Sequence, residues 1–142
     1  MDKKIIEFDI SEIKDLISVA SYLCGQDYSK IICLEGDLGA GKTTLVNAIC
    51  KMLKSEDETS SPTFSIVNEY TYPKGIIYHF DLYRLNNSDE LMDIGIEEYL
   101  SSNEYCLIEW PKLAIETILD QYLSVKIEVN SDNSRKILIS NA

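Results

Sequence analysis

Two hydrophobic periods divide the chain into strands and helices. Lys30-Ile31-Ile32-Cys33-Leu34-Glu35 is a short, continuous, β-branched apolar run, which predicts a strand buried on both faces. Leu45, Val46, Ala48, Ile49, Met52 and Leu53 recur at helical spacing and stop near Lys54-Ser55, so a helix is expected from about Gly41. Residues 4–8 form a short strand candidate. Ser11 is then expected to cap a helix carrying Ile13, Leu16, Ile17, Ala20 and Leu23, with Gly25 as its stop.

The second half reads the same way. Residues 55–61 are a polar, acidic loop; residues 64–72 alternate like a strand, Pro73-Lys74-Gly75 turns the chain, and residues 76–80 return. Ser88 is expected to cap a helix over Glu90, Leu91 and Met92, with an interruption at Gly95 and a further turn or two to Leu100. Residues 105–109 read as a buried strand, and Pro111 opens a short helix bearing Leu113, Ile115, Ile118 and Leu119. Residues 122–129 and 135–139 flank the turn 131–134 as a hairpin.

Between the first buried strand and its helix lies Gly36-Asp37-Leu38-Gly39-Ala40-Gly41-Lys42-Thr43-Thr44, which fits G-x-x-x-x-G-K-[ST]. Glycines at these positions let backbone N–H groups curl into a concave anion nest. Lys42 can then reach the β- and γ-phosphates, the Thr43 hydroxyl suits Mg²⁺, and the helix start aims its positive end at the phosphates. An accidental match in a chain this short has odds on the order of one in a few hundred from average residue usage. The strand–loop–helix setting lowers them further, so binding of a nucleoside triphosphate is expected. The fold class that follows is α/β: residues 1–142 as a single P-loop NTPase domain, its central sheet mainly parallel, with antiparallel strands added at the edges and helices on both faces.

Composition narrows the partners. Residues with hydrophobic side chains make up 45% of the 142, enough for one real core. No run approaches the roughly 18 apolar residues of a membrane span, and Met1-Asp2-Lys3-Lys4 leads into no signal-peptide core, so a cytoplasmic protein is expected. The four cysteines lack C-x-x-C spacing and are expected as buried, reduced thiols. A net charge of −11, from 24 acidic against 13 basic residues, disfavours direct tight binding of RNA or DNA and suits a basic protein partner.

A phosphate loop needs a carboxylate on a neighbouring strand for Mg²⁺ and a group that positions the attacking water. Asp81 and Glu109 each stand just after an apolar strand, where open α/β sheets place their ligands. Spacing does not divide the two roles between them. His79, the single histidine, is either a hydrogen-bonded core group, the commoner fate on a strand, or a catalyst. Arg84 can serve a phosphate or a nearby acid, Trp110 can shield the site or simply pack, and Thr63, after Ser61-Pro62, belongs either to a switch loop that would cross the γ-phosphate or to a proline-directed turn.

The phosphate loop, Ser61-Pro62-Thr63-Phe64, His79-Phe80-Asp81-Leu82-Tyr83-Arg84 and Leu107-Ile108-Glu109-Trp110-Pro111, in this order, closely resemble the TsaE (YjeE) family of small bacterial ATPases. The resemblance runs from about Ile5 to Trp110 and is only outlined beyond. It implies an ATPase required for threonylcarbamoyladenosine formation at position 37 of tRNAs reading ANN codons. It implies TsaB and TsaD as protein partners, with tRNA met only indirectly and ATP hydrolysis resetting the partner complex. By the same resemblance the cofactors are ATP and Mg²⁺, Thr43 and Glu109 hold the metal, and Asp81 sits at the γ-phosphate. Glu12 and Arg135 are expected to border the base, with residues 37–44 around the phosphates.

Two other classes compete. A small-molecule kinase would need an acceptor pocket and a basic lid, which the sequence does not display; a nucleotide-dependent binding switch with negligible turnover would have the same residues as an ATPase. No guanine-reading N-K-x-D segment follows the loop, which favours ATP over GTP.

Overall fold

A computed structural model describes residues 4–62, 66–118 and 121–142. At its centre is β2 (Ile31–Glu35), whose first four residues are buried. It pairs in parallel with β5 (Tyr105–Glu109), buried throughout, and with β6 (Leu123–Val129). β4 (Gly75–Asp81) continues the parallel set beside β5. Antiparallel strands extend both sides: β3 (Val67–Tyr72) on β4, and β7 (Arg135–Asn141) on β6, followed by β1 (Ile5–Ile10) on β7. Among the described residues the sheet thus has seven strands, in the order β1-β7-β6-β2-β5-β4-β3.

Helices cover both faces, which is why β2 and β5 read as unbroken apolar runs. On one face α1 (Leu16–Cys24) and α2 (Lys42–Met52) pack Val19, Leu23, Leu45 and Ile49 over Ile32, Leu34 and Leu107. On the other, α3 (Ser88–Asp93), α4 (Ile96–Leu100) and α5 (Lys112–Ile115) bring Leu91, Ile96 and Ala114 against Cys33, Phe80 and Ile108. Tyr99 of α4 meets the rings of Tyr78 and Phe80 edge-on, at centroid distances of 4.7 and 5.2 Å.

The register decides where chemistry can occur. Asp81 pairs with Glu109, and Glu109 with Leu34, so the C-terminal ends of three parallel strands meet at one edge of the sheet. The phosphate loop leaves β2 from that edge.

Several local expectations are corrected. Ser11 is not a helix cap: its backbone N–H donates to the Asp15 carboxylate at 3.1 Å, as does that of Glu12 at 2.9 Å. A 3₁₀ turn (Ile13–Asp15) intervenes, and the α-helix begins only at Leu16. Ile13 and Ile17 of the expected apolar stripe are exposed. At the second helix Asn87 takes the place expected of Ser88, accepting the Glu90 N–H at 3.1 Å, because Asn87 is the residue with extended backbone before the helix. Residues 64 and 65, expected to open a strand, together with Thr63 and Leu119, fall outside the described residues. Cys33, Cys50 and Cys106 are buried and Cys24 partly so, and all four are free thiols.

Candidate active site

The phosphate loop wraps the start of α2. Gly39 and Gly41 take φ of +80° and +111°, a left-handed backbone that side chains resist, and Gly41 is the residue preceding the helix. Gly36 has a different constraint. A Cβ there would lie 3.0 Å from the Ile127 carbonyl oxygen and 3.2 Å from the Ala40 Cβ.

Lys42 is buried under this loop. Its Nζ donates to the carbonyls of Gly36 and Asp37 and lies 3.8 Å from the centroid of the Trp110 ring. Burial holds the ammonium below the usual lysine pKa, opposed by the negative charges of Glu109, Asp81 and Asp37. Trp110 itself has φ of +56°, an unfavourable backbone for a bulky side chain. Such strain clusters at functional sites, and here it swings the indole from the end of β5 over the lysine.

Beside Lys42, the Thr43 hydroxyl donates to the Glu109 carboxylate at 3.1 and 3.2 Å and stands 2.7 Å from the Ser61 hydroxyl. Glu109 is buried and receives the ring nitrogen Nε2 of His79 at 2.6 Å. Asp81 is half-buried and accepts the Tyr83 N–H at 3.0 Å. Lys42, Thr43, Ser61, Asp81, Glu109 and Trp110 line one cavity of about 310 Å³, walled also by residues 38–41 and Thr44. Arg84 is exposed after β4 and is not among its walls.

A second cavity of about 240 Å³ lies across the loop, sharing residues 39–41 and Thr44 with the first. Glu12 and Arg135 both border it, with Ile10, Ile13 and Ile137 as apolar walls. Glu12 is paired with Lys14 at 3.2 Å on the surface. Arg135 reaches inward: Nε donates to the Ala40 carbonyl at 2.6 Å and a terminal nitrogen to that of Gly39 at 3.3 Å. It therefore clamps the phosphate loop as well as lining the cavity beside it.

Among the described residues no cluster of three or more His, Cys, Asp or Glu side chains could hold a metal by itself. One hydroxyl and one carboxylate side by side are hard oxygen donors that fit Mg²⁺ when phosphate and water complete its shell.

A model of the protein family described as threonylcarbamoyl adenosine biosynthesis protein TsaE matches residues 10–137, spanning the loop, both acids and Arg135. The chain belongs to the TsaE family. Relatives agree: the TsaE protein of Haemophilus influenzae is 38% identical over 72% of this chain and 65% of its own length. That of Bacillus subtilis is 38% identical over 75% of this chain and 66% of its own length. Both matches thus span just under two thirds of the relative, whereas the Aquifex aeolicus TsaE protein is 38% identical over 95% of this chain and 92% of its own. The crystal structure of Bacillus subtilis YdiB superposes with a TM-score of 0.76 at 26% identity, covering 99% of this chain and 87% of that one.

Within this TsaE fold the structure brings Lys42, Thr43, Asp81 and Glu109 into one cavity and puts Glu12 and Arg135 at its neighbour. Sequence reasoning missed the clamp made by Arg135, the place of Ser61 beside Thr43, and Tyr70, whose hydroxyl lies 3.0 Å from His79 Nδ1. Strand parity held a partial signal. His79 and Asp81 share a face of β4, and Glu109 ends the adjacent strand.

Proposed function

We infer that the protein is an ATP-binding and ATP-hydrolysing subunit of threonylcarbamoyladenosine biosynthesis, acting for position 37 of tRNAs that read ANN codons. Its partners are a TsaB–TsaD pair, tRNA is met only through them, and the place of action is the cytoplasm. The observation that carries the chemistry is the single cavity joining the phosphate loop to Lys42, Thr43, Asp81 and Glu109. Membership of the TsaE family, through a match over residues 10–137, carries the pathway.

In this reading the loop N–H groups and Lys42 receive the triphosphate, Lys42 exchanging its carbonyl partners for phosphate oxygens. Thr43 and Glu109 hold Mg²⁺, which when bound supplies charge neutralisation on the phosphates. Asp81 orients the water for in-line attack on the γ-phosphorus, and ADP with inorganic phosphate leaves. The adenine and ribose take the second cavity, bordered by Glu12, Ile13 and Arg135. No arginine lines the phosphate cavity among the described residues, so the terminal phosphate lacks a mobile guanidinium and turnover alone is slow. No helix of the described residues is long and apolar enough to cross a membrane.

The deciding experiment is Mg²⁺-dependent ATP hydrolysis by the pure protein, with and without an added TsaB–TsaD pair. Slow turnover that rises with the pair is expected. Tight ATP binding with no turnover in either condition would replace the ATPase with a nucleotide-operated switch.

A further inference from the structure

His79 and Glu109 are an unusual pair to bury. Both are almost wholly inaccessible, at 0% and 3% exposure, where an aliphatic pair would pack without desolvating a carboxylate. What surrounds them is ordered. His79 Nε2 meets Glu109 Oε2 at 2.6 Å, and on its other side Nδ1 lies 3.0 Å from the Tyr70 hydroxyl. That hydroxyl donates to the Ser60 carbonyl at 2.9 Å and accepts the Ser60 N–H at 3.2 Å. The next residue, Ser61, returns to Thr43 at 2.7 Å, and Thr43 donates back to Glu109. The contacts close a ring: Thr43, Glu109, His79, Tyr70, Ser60, Ser61 and Thr43 again.

We propose that His79 and Tyr70 are positioning residues that tie the Glu109 carboxylate to the segment at Ser60–Ser61. Placement of that segment and metal holding by Thr43 and Glu109 then become one event. The histidine fixes the rotation of the carboxylate, so that its oxygens face Thr43. The tyrosine holds both backbone polar groups of Ser60, so its hydroxyl senses any displacement of the loop. A shift of either end must break one of these hydrogen bonds, of which the two made by His79 are buried and those of Ser60 and Ser61 partly so, and among the described residues every buried side-chain nitrogen or oxygen has a partner. This coupling rests on the assignment of Thr43 and Glu109 to Mg²⁺ made above.

The test compares wild type, Tyr70→Phe, His79→Gln and Glu109→Gln by calorimetric titration with ATP, in EDTA and in Mg²⁺. Amide hydrogen exchange of the peptide containing Ser60 and Ser61 is followed in parallel. Tyr70→Phe removes one oxygen and keeps the ring packing. It is expected to leave ATP affinity in EDTA within about twofold and to reduce the gain conferred by Mg²⁺ by about tenfold, the lower end for an outer-shell partner. Exchange at Ser60–Ser61 should cease to slow when ATP and Mg²⁺ bind. His79→Gln, which keeps a donor for Glu109 but no second ring nitrogen for Tyr70, should retain more of the Mg²⁺ gain and lose the exchange response. Loss of thermal stability in Tyr70→Phe with wild-type Mg²⁺ gain and exchange response would overturn the coupling. Full Mg²⁺ gain in Glu109→Gln would overturn the metal assignment beneath it.

Discussion

Lys42 Nζ lies 3.8 Å from the centroid of the Trp110 ring, the ammonium of the phosphate loop resting on the side chain that follows the buried acid Glu109. A cation over an indole face is attracted by the ring quadrupole and perturbs its excited state. Trp110 is the only tryptophan in the chain, so its emission reports on this one site, where the Tyr83 ring also lies 4.8 Å from the indole. ATP is expected to draw the ammonium off the ring and change the fluorescence in a saturable titration. Lys42→Ala should lose the response together with at least about 2 kcal/mol of ATP binding, the scale of a charge-assisted contact. An unchanged affinity in that variant would remove Lys42 from phosphate recognition.

Arg135→Ala tests the clamp. Its guanidinium bonds the carbonyls of Ala40 and Gly39 from a strand 95 residues away in sequence from Ala40. Loss of two such bonds is expected to weaken ATP binding by up to about thirtyfold without abolishing it, at roughly 1 kcal/mol net for each. Hydrogen exchange of the peptide spanning residues 39–41 should accelerate. A variant with normal affinity and normal exchange would reduce Arg135 to a wall of the second cavity.

The loop glycines should fail for different reasons. Gly41→Ala forces a side chain onto a backbone with φ of +111°, at a cost of about 1–2 kcal/mol. Gly36→Ala instead drives a Cβ to 3.0 Å from the Ile127 carbonyl, so the loop must move away from β6. Urea unfolding should register both, with ATP binding impaired in each. Equal stability of Gly36→Ala and wild type would show that the loop yields there freely.

Buried thiols predict alkaline weakening. Desolvation pushes the Cys33, Cys50 and Cys106 thiols up to about 12, against an ordinary value of 9.0. The folded pKa exceeds the unfolded one, so this stability is fully present below about pH 9 and is lost as pH rises toward 12. The urea midpoint should fall steadily across that window, and a disulfide reagent at about pH 8 should modify the native protein slowly, Cys24 first. A flat midpoint would contradict the burial of these three side chains.

Much of the fold was legible because its strongest signals are local. The run 31–35, the glycine loop and the helix after it follow from composition within about twenty residues, and all three stand as expected. Caps were less legible. Ser11 and Ser88 are good capping types, yet Asp15 and Asn87 accept the N–H bonds, since backbone conformation rather than residue type selects among neighbouring polar side chains. The ring through Tyr70, His79 and Glu109 needs the pairing of three strands, and Arg135 needs a fourth. Such contacts depend on register across the sheet, which no window along the chain contains.

Among the described residues β1 has a single neighbour in the sheet, and that neighbour is β7. In synthesis β1 therefore precedes the residues it pairs with, 135–141, by nearly the whole of the sheet. The residue that opens β7 is Arg135, so the same stretch that pairs with β1 also braces the phosphate loop. A nascent chain stalled short of it would carry the whole G-x-x-x-x-G-K-T signature and still lack the fastening of its loop. A firm grip on nucleotide thus depends on a strand far along the chain from the glycines that make the contact, and a chain lacking that strand is expected to bind nucleotide more weakly.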